Sequence, residues 1–442
     1  MVDPASPLTI YLTRLTHPPV IPDPIRRQHA AFIAGDTSFA AAARLLASLW
    51  RADQNLTAGV HAELGPSSRT KARKLRAGWR LRRDAAQAGL AFLNPDIAAF
   101  VHRALILREP GAMWDEPKIR GNLLASQGLA LNLFVPLALD LSLASRVFSA
   151  LLPGFVQAVT HITFETSPGR GDPTYLGDGT AFDIRLDVIT TDGEPAFVAI
   201  ELKFIEAMLG PSASARPRYH EVAHGSRLFR NPDDPLLYRP GLEQLRREHT
   251  LAQLMVDQGH AARGLFVLVG PALNRRVAAS AKVYANALIN PTGATPDRVG
   301  FIHLTLETIL AALSQAGLPE HAQALHARYL DFRRVTAVAL GEDDGGSPQP
   351  PSSPLALPPP CHSSASTQLA YRTASGVDPA TGATLQPHPD ASASRPGACG
   401  SAASSRSLRS QRLSRRPPTS PPRPSASRSP KTGKAALSES RR

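Results

Sequence analysis

The sequence predicts a mixed α/β fold: a β-sheet holding both parallel and antiparallel pairs, flanked by helices, preceded by a helical region and followed by a disordered tail. Three observations predict it. Apolar residues keep a helical period through the N-terminal third of the chain and switch to the two-residue period of strands near position 156. Beyond the switch, a strand–turn–strand unit is followed by a helix and another apolar strand, so that one hairpin and one helical crossover feed the same sheet. From Gly341 onward the periodicity ends, and 17 of the 41 prolines, with 21 serines, crowd into the last 102 residues.

The N-terminal region, 1–120, reads as helical. Positions 28–50 are alanine-rich with one apolar face, and 94–108 opens on Asn94 and Pro95, a cap and first-turn pair. Between them, 69–83 holds eight basic residues and no acid; its spacing predicts a helix with Arg69, Arg73, Arg76, Arg80 and Arg83 on one face and Ala72, Leu75 and Trp79 on another. That stripe suits phosphate tracking, or is a solvated cationic face.

The core, 121–340, begins with a helix over 121–139 whose apolar positions include Leu123, Leu131 and Phe134. Strands follow at 156–164, 182–190 and 196–204, the last two joined through Asp192-Gly193. Positions 242–256 return to helical spacing through Leu245, Ala252 and Met255, and 265–269 is an uninterrupted apolar run suited to a buried central strand. A helix over 275–288, a strand over 299–306 and helices over 307–316 and 320–340 complete the pattern. The tail, 341–442, ends in a basic stretch, 391–442, with twelve Lys or Arg and one acid. It either adds nonspecific attraction to nucleic acid or is a solvated appendage.

Composition narrows the function classes. There are 49 Lys and Arg against 36 Asp and Glu, a net charge of +13, which favours an anionic partner. The only cysteines, Cys361 and Cys399, both lie in the tail, so neither a disulfide framework nor a cysteine-based zinc cluster is expected in the folded part. A reducing, cytoplasmic setting is expected. The start, MVDPASPLTI, carries Asp3 and no basic residue, unlike a signal peptide, and the longest apolar segment, 129–139, is interrupted by Asn132, so no membrane partner is expected.

Chemistry concentrates in 180–204. Alternation puts Asp183, Arg185 and Asp187 on one face of the first strand, and Glu201 and Lys203 on one face of the second. An odd-numbered hairpin loop centred on Asp192 sets Asp183 directly opposite Glu201; an even one would put them on opposite faces. Opposed Cβ atoms lie roughly 5 Å apart, close enough for two carboxylates to share one hard divalent cation, with Lys203 one pleat further on. Such a cation relieves the repulsion and leaves room for water and a phosphate oxygen, while a lysine ammonium holds the attacking water or stabilises developing charge. Lysine is scarce here, seven residues against 42 arginines, and a compact ammonium is not replaceable by guanidinium. The acid-x-Lys triplet alone is undistinctive, since Glu116-Pro-Lys118 is another; its place at the end of an apolar strand, with an Asp in register, is what sets it apart. The structural alternative is a hairpin carrying a surface ion pair.

These residues, Phe182-Asp183 followed by Ile200-Glu-Leu-Lys203, resemble the PD-(D/E)XK nuclease superfamily with its restriction-endonuclease-like fold. More narrowly, Leu124-Ala-Ser-Gln127, Asn132-Leu-Phe134, Phe164-Glu165, Ile200-Glu-Leu-Lys-Phe-Ile-Glu206 and Arg216-Pro-Arg-Tyr219 are similar to a bacterial PD-(D/E)XK-like family of little-defined role. The similarity covers roughly 45–335. It implies a Mg²⁺-dependent nuclease core, with Mn²⁺ able to substitute, that cleaves DNA through a metal-activated water. Asp183 and Glu201 would bind the metal and Lys203 would assist the nucleophile. Phe182 stands where the nominal motif has proline. The preference for DNA over RNA comes from this resemblance alone, and a homodimer is compatible with it.

Around this set, Glu165 is either a further metal-side acid or an exposed strand-end carboxylate, and Glu206, off the Glu201/Lys203 parity, suits a structural ion pair. Gln127 shares a helical stripe with Leu123, Leu131 and Phe134, so its amide is either a satisfied buried group or a substrate-side contact. Gln244 either borders the site or lies on a solvated helix face. Two rival readings remain: a catalytically silent nucleic-acid-binding module on the same fold, and a zinc hydrolase using His220, Glu221 and His224 with Glu243 as third ligand. The zinc reading requires a helix, which Pro211, Pro217 and Gly225 argue against.

Overall fold

Short polar side chains at the ends of apolar stretches set the helix starts. The structure, a computed structural model, describes residues 15–63, 73–210, 213, 216–292 and 297–342. Arg69, both cysteines and all but the first two residues of the expected tail lie outside them. After α1 (Asp23–Gln28), Thr37 caps α2 (Ser38–Asp53) by accepting from the Ala40 amide at 3.1 Å. An antiparallel ribbon, β1 (Ala58–Glu63) and β2 (Arg73–Leu81), leads to α3 (Arg83–Gln87). Asn94 caps α4 (Pro95–Leu107), Asp115 caps α5 (Glu116–Gly121), and α6 (Ser126–Leu139) follows. Asp140 caps α7 (Leu141–Leu151).

The main sheet is built from β3 (Val156–Thr166), β4 (Phe182–Thr190), β5 (Pro195–Leu202), β6 (Arg263–Gly270) and β7 (Gly300–Thr305), in that spatial order. β3, β4 and β5 are antiparallel neighbours, whereas β5–β6 and β6–β7 pair in parallel. The parallel pairs need crossovers: α8 (Pro217–Gly225) and α9 (Leu242–Asp257) supply the first, and α10 (Arg275–Ala287) the second. α11 (Leu306–Gln315), α12 (Pro319–Tyr329) and α13 (Phe332–Leu340) finish the described chain. A mixed sheet between helices is the expected fold class.

Alternation along the strands divides the interior in two. Ile184, Leu186 and Val188 of β4, Val198 and Ile200 of β5, and Leu265 and Val267 of β6 pack with helices α2, α6, α7 and α11–α13. Phe197 and Ala199 of β5, with Phe266 and Leu268 of β6, face α8, α9 and α10 instead. Leu45 and Leu46 of α2 belong to the first of these clusters, so part of 1–120 completes the core of 121–340. No single helix among the described residues is long and apolar enough to cross a membrane; the apolar pair α6 and α7 is bent by 115°.

Three expectations are corrected. The helix over 69–83 is the strand β2: Leu75, Ala77, Trp79 and Leu81 alternate with Lys74, Arg76 and Arg80, and Ala77, Trp79 and Leu81 are buried. Gly78 fits the strand to its neighbours, donating its amide to the Ala30 carbonyl at 2.8 Å where a Cβ would run into Ser48 and the His29 carbonyl. A two-residue period cannot align Arg73 with Arg76 and Arg80, and Arg83 begins α3, so a single arginine stripe does not form. The helix over 320–340 is broken between α12 and α13, where Asp331 accepts from the Arg334 amide at 3.3 Å. A helix also covers Pro217–Gly225, where none was expected.

Candidate active site

Hairpin register brings the acids together. Every β4–β5 pair from Ile184↔Ile200 to Ile189↔Pro195 is centred on residue 192, and Gly193 turns the connection with φ +86°. Continued one step, this register sets Asp183 opposite Glu201, and the Leu202 amide donates to Asp183 Oδ2 at 2.8 Å. On the other side, Phe164↔Ile184 and Thr166↔Phe182 set Glu165 opposite Asp183. Glu165, Asp183 and Glu201 therefore form one row across three neighbouring strands. The Glu165 backbone is left-handed, with φ +48°, a strained conformation for a non-glycine residue that is typical of functional positions.

Lys203 lies just past β5, its amide donating to the Val269 carbonyl at 2.8 Å. Its Nζ is 2.5 Å from Glu201 Oε1 and donates to Gln244 Oε1 at 2.9 Å. The same Gln244 donates from Nε2 to Glu201 Oε1 at 2.8 Å and to Glu248 Oε1 at 2.7 Å. Gln244 thus borders the site rather than lying on a solvated face. Glu206 accepts from the Phe204 amide at 2.6 Å and stands among the anions surrounding Lys203. Glu248, absent from the expected set, is buried, and its Oε2 lacks a hydrogen-bond partner among the described residues. Its signal was its place one helical turn beyond Gln244 on α9.

Opposite this cluster, Gln127 of α6 donates to the Met113 carbonyl at 2.8 Å and to Glu165 Oε1. Gln127, Glu165 and Asp183 line a small open cleft with Trp114 and Phe164, with room of about 10 Å³, that of one water molecule. Arg170 ties down the rim by donating to the carbonyls of Glu165, Gly111 and Gly179 at 3.1–3.2 Å.

The site crowds more carboxyl groups together than it can keep ionised. Burial, then Glu201 and Glu165, push the Asp183 carboxyl well above the usual carboxylate range. Burial lifts Glu165 to about 7 with further help from Glu201, against the hydrogen bond from Gln127. Burial and Glu201 raise Glu248 likewise. At Lys203, burial acts to lower the pKa, but Glu201, Glu206, Glu248 and Asp183 outweigh it, and the ammonium is held more firmly protonated than usual. Four carboxylates, Glu201 and Glu248 buried and Asp183 and Glu165 half-buried, around one ammonium make a hard, oxygen-only donor set that suits a divalent cation. Asp183, Glu165 and Glu201 would hold it. As the side chains stand, Glu201 is turned onto Lys203 and Gln244, and no group of three or more His, Cys, Asp or Glu among the described residues is arranged for ligation.

The zinc motif falls apart on inspection of its partners. Pro217 is at the first turn of α8, where it favours a helix, and Gly225 at its end, so residues taken as breakers delimit the helix. Yet His220 stacks on Tyr238 and shares a 3.0 Å hydrogen bond with its hydroxyl, whereas His224 meets Asp233 at 2.9 Å. Glu221 pairs with Arg218 and Glu243 with Arg247. Of the proposed arginine contacts, Arg76 and Arg83 are exposed, while Arg80 is half-buried with an Nε that has no partner among the described residues.

Residues 34–331 match the family model described as the PD-(D/E)XK nuclease superfamily, and the chain belongs to that superfamily. Comparisons with curated proteins and with solved structures gave no match.

Proposed function

We propose that this member of the PD-(D/E)XK nuclease superfamily is a divalent-metal-dependent nuclease that hydrolyses DNA phosphodiester bonds, with Mg²⁺ as cofactor and Mn²⁺ able to substitute. The observation that carries the reading is the row of Glu165, Asp183 and Glu201 beside a buried lysine whose ammonium is fixed by Gln244. A bound Mg²⁺ supplies positive charge against the scissile phosphate and makes water a competent nucleophile near neutral pH. Lys203, whose ammonium is held by Glu201 and Gln244, acts as a donor that stabilises charge on the phosphate and holds the attacking water. Gln244 orients both Lys203 and Glu201, and Gln127 orients Glu165 from the cleft wall. A cytoplasmic setting with DNA as partner goes with this reading. The test incubates the full chain with supercoiled and linear DNA, and with RNA, in Mg²⁺, Mn²⁺ or EDTA. Divalent-dependent DNA products support the reading; RNA products alone change the substrate, and retention of DNA with no product in either metal favours a catalytically silent module.

A further inference from the structure

A second site lies outside the carboxylate cleft. The turn after α1, the C-terminal half of α2 and the β1–β2 ribbon enclose a groove of about 450 Å³, in the size range of small-molecule sites. Its lining includes Arg27, Arg51 and Arg76, and no acid. Among the described residues none of the three has a carboxylate partner: Arg51 donates to the carbonyls of Gly78 and Leu56, Arg27 lies 3.6 Å over the Phe32 ring, and Arg76 is exposed. Arg51 and Arg76 stand close enough that Arg76, after burial, depresses the Arg51 pKa. Three cations without a carboxylate partner along one concave surface call for an anion.

The rest of the lining says which kind. Phe32, Ile33 and Leu75 are half-buried there, giving apolar and aromatic surface between the guanidinium groups. The Arg27–Phe32 stack presents a flat cationic face of the sort on which nucleobases stack. Its volume suits about one nucleotide. The walls are fixed: Ala30, with left-handed φ +52°, is pinned by the Gly78 amide. At the other end of α2, Phe39 meets the edge of Phe204, next to Lys203, with ring centroids 6.2 Å apart. Twelve residues of helix from Phe39 to Arg51 put the groove about 18 Å along α2 from that contact.

We propose that this groove is a docking site for a single-stranded nucleic-acid segment, with phosphates on Arg27, Arg51 and Arg76 and a base against Phe32 and Leu75. It deepens the nuclease reading and rests on it for its purpose: the groove grips an unpaired strand of the nucleic acid whose cleavage is assigned to Asp183, Glu201 and Lys203.

The experiment measures fluorescence anisotropy of labelled 12-nucleotide single strands, DNA and RNA, and of a duplex, with the full chain in EDTA. Wild type is compared with the Arg27→Glu/Arg76→Glu double variant, and with Arg276→Glu/Lys282→Glu, which reverses equal charge on exposed positions of α10. The expected result is single-strand binding weakened at least tenfold in the groove variant, with the salt slope reduced by about 1.4 for two lost contacts. Duplex binding and the α10 variant change less than threefold. Equal losses in both variants, equal losses for strand and duplex, or displacement of the strand by polyglutamate as readily as by unlabelled strand would overturn the proposal. DNA against RNA preference is read from the same titrations and identifies the strand. Cleavage separates the two claims. A wild type that cuts nothing while the groove variant loses strand binding sinks the nuclease reading and leaves the groove; a wild type that cuts while the variant binds normally does the reverse.

Discussion

Replacing Gln244 by Leu tests the inner architecture of the site. The amide makes three hydrogen bonds, to Lys203 Nζ, Glu201 Oε1 and Glu248 Oε1, all between 2.7 and 2.9 Å. Each joins a charged group, and such bonds contribute about 1.5–3 kcal/mol apiece when their partners are left unsatisfied. The partners share one network, so the losses are not additive, and the expected destabilisation is about 3–5 kcal/mol. Lys203 and Glu201 side chains are only 12% and 4% exposed, which leaves little water to replace the amide. Urea unfolding in EDTA at pH 7.5, followed by tryptophan fluorescence, measures the loss. Gln244→Glu separates hydrogen bonding from volume: it keeps the size but adds another buried carboxylate, and destabilises as well. On the proposed chemistry, Gln244→Leu also lowers kcat more than tenfold with little change in KM, because Lys203 and Glu201 lose their orientation while the substrate contacts stay. A destabilisation under about 1 kcal/mol with unchanged kcat would refute the reasoning, since the network would then contribute nothing beyond ordinary surface contacts.

Two further predictions follow from other parts of the fold. His249 is fully buried on α9, donates from Nε2 to the Val299 carbonyl and has its pKa pushed down to about 4 by burial. The unfolded chain therefore takes up the proton first, so the His249 contribution to stability is complete above pH 6.5 and is lost as pH falls toward 4, by up to about 3 kcal/mol. Unfolding free energies of wild type and His249→Gln across this window measure it, and a pH-independent difference would remove His249 from the linkage. Gly78→Ala places a methyl against Ser48 and the His29 carbonyl; thermal or urea unfolding is expected to show a loss of about 2 kcal/mol or more, and a neutral effect would mean that the ribbon does not lie against α2.

Much of the site was legible because a hairpin's register is local information. Asp192-Gly193 placed the turn and alternation gave the faces, while the choice between an odd and an even loop is settled by the observed register, which sets Asp183 opposite Glu201. Glu165 and Glu248 were harder, since one depends on a pairing across the long 167–181 connection and the other on how α9 docks. The misreadings have physical causes too. In 69–83 abundant Arg, Lys, Ala and Leu raise helix propensity, yet the strict alternation of Leu75, Ala77, Trp79 and Leu81 carried the strand, and pairing with β1 outweighed propensity. At 217–225 proline and glycine were weighed as breakers when their positions make them helix boundaries. The start of α7 has little signal in the apolar spacing, because Asp140 ends the apolar run of α6 and caps the next helix at once. The groove, lined by three separated segments, has no signature along the sequence.

The most direct test of the account is DNA cleavage by the wild type in Mg²⁺ or Mn²⁺ beside Asp183→Asn, Glu201→Gln and Lys203→Met, each verified as folded by circular dichroism. The account predicts divalent-dependent product from the wild type, abolished by EDTA and reduced at least about a hundredfold in every variant. Unchanged cleavage in the three variants, or none by folded wild type in either metal, would contradict it.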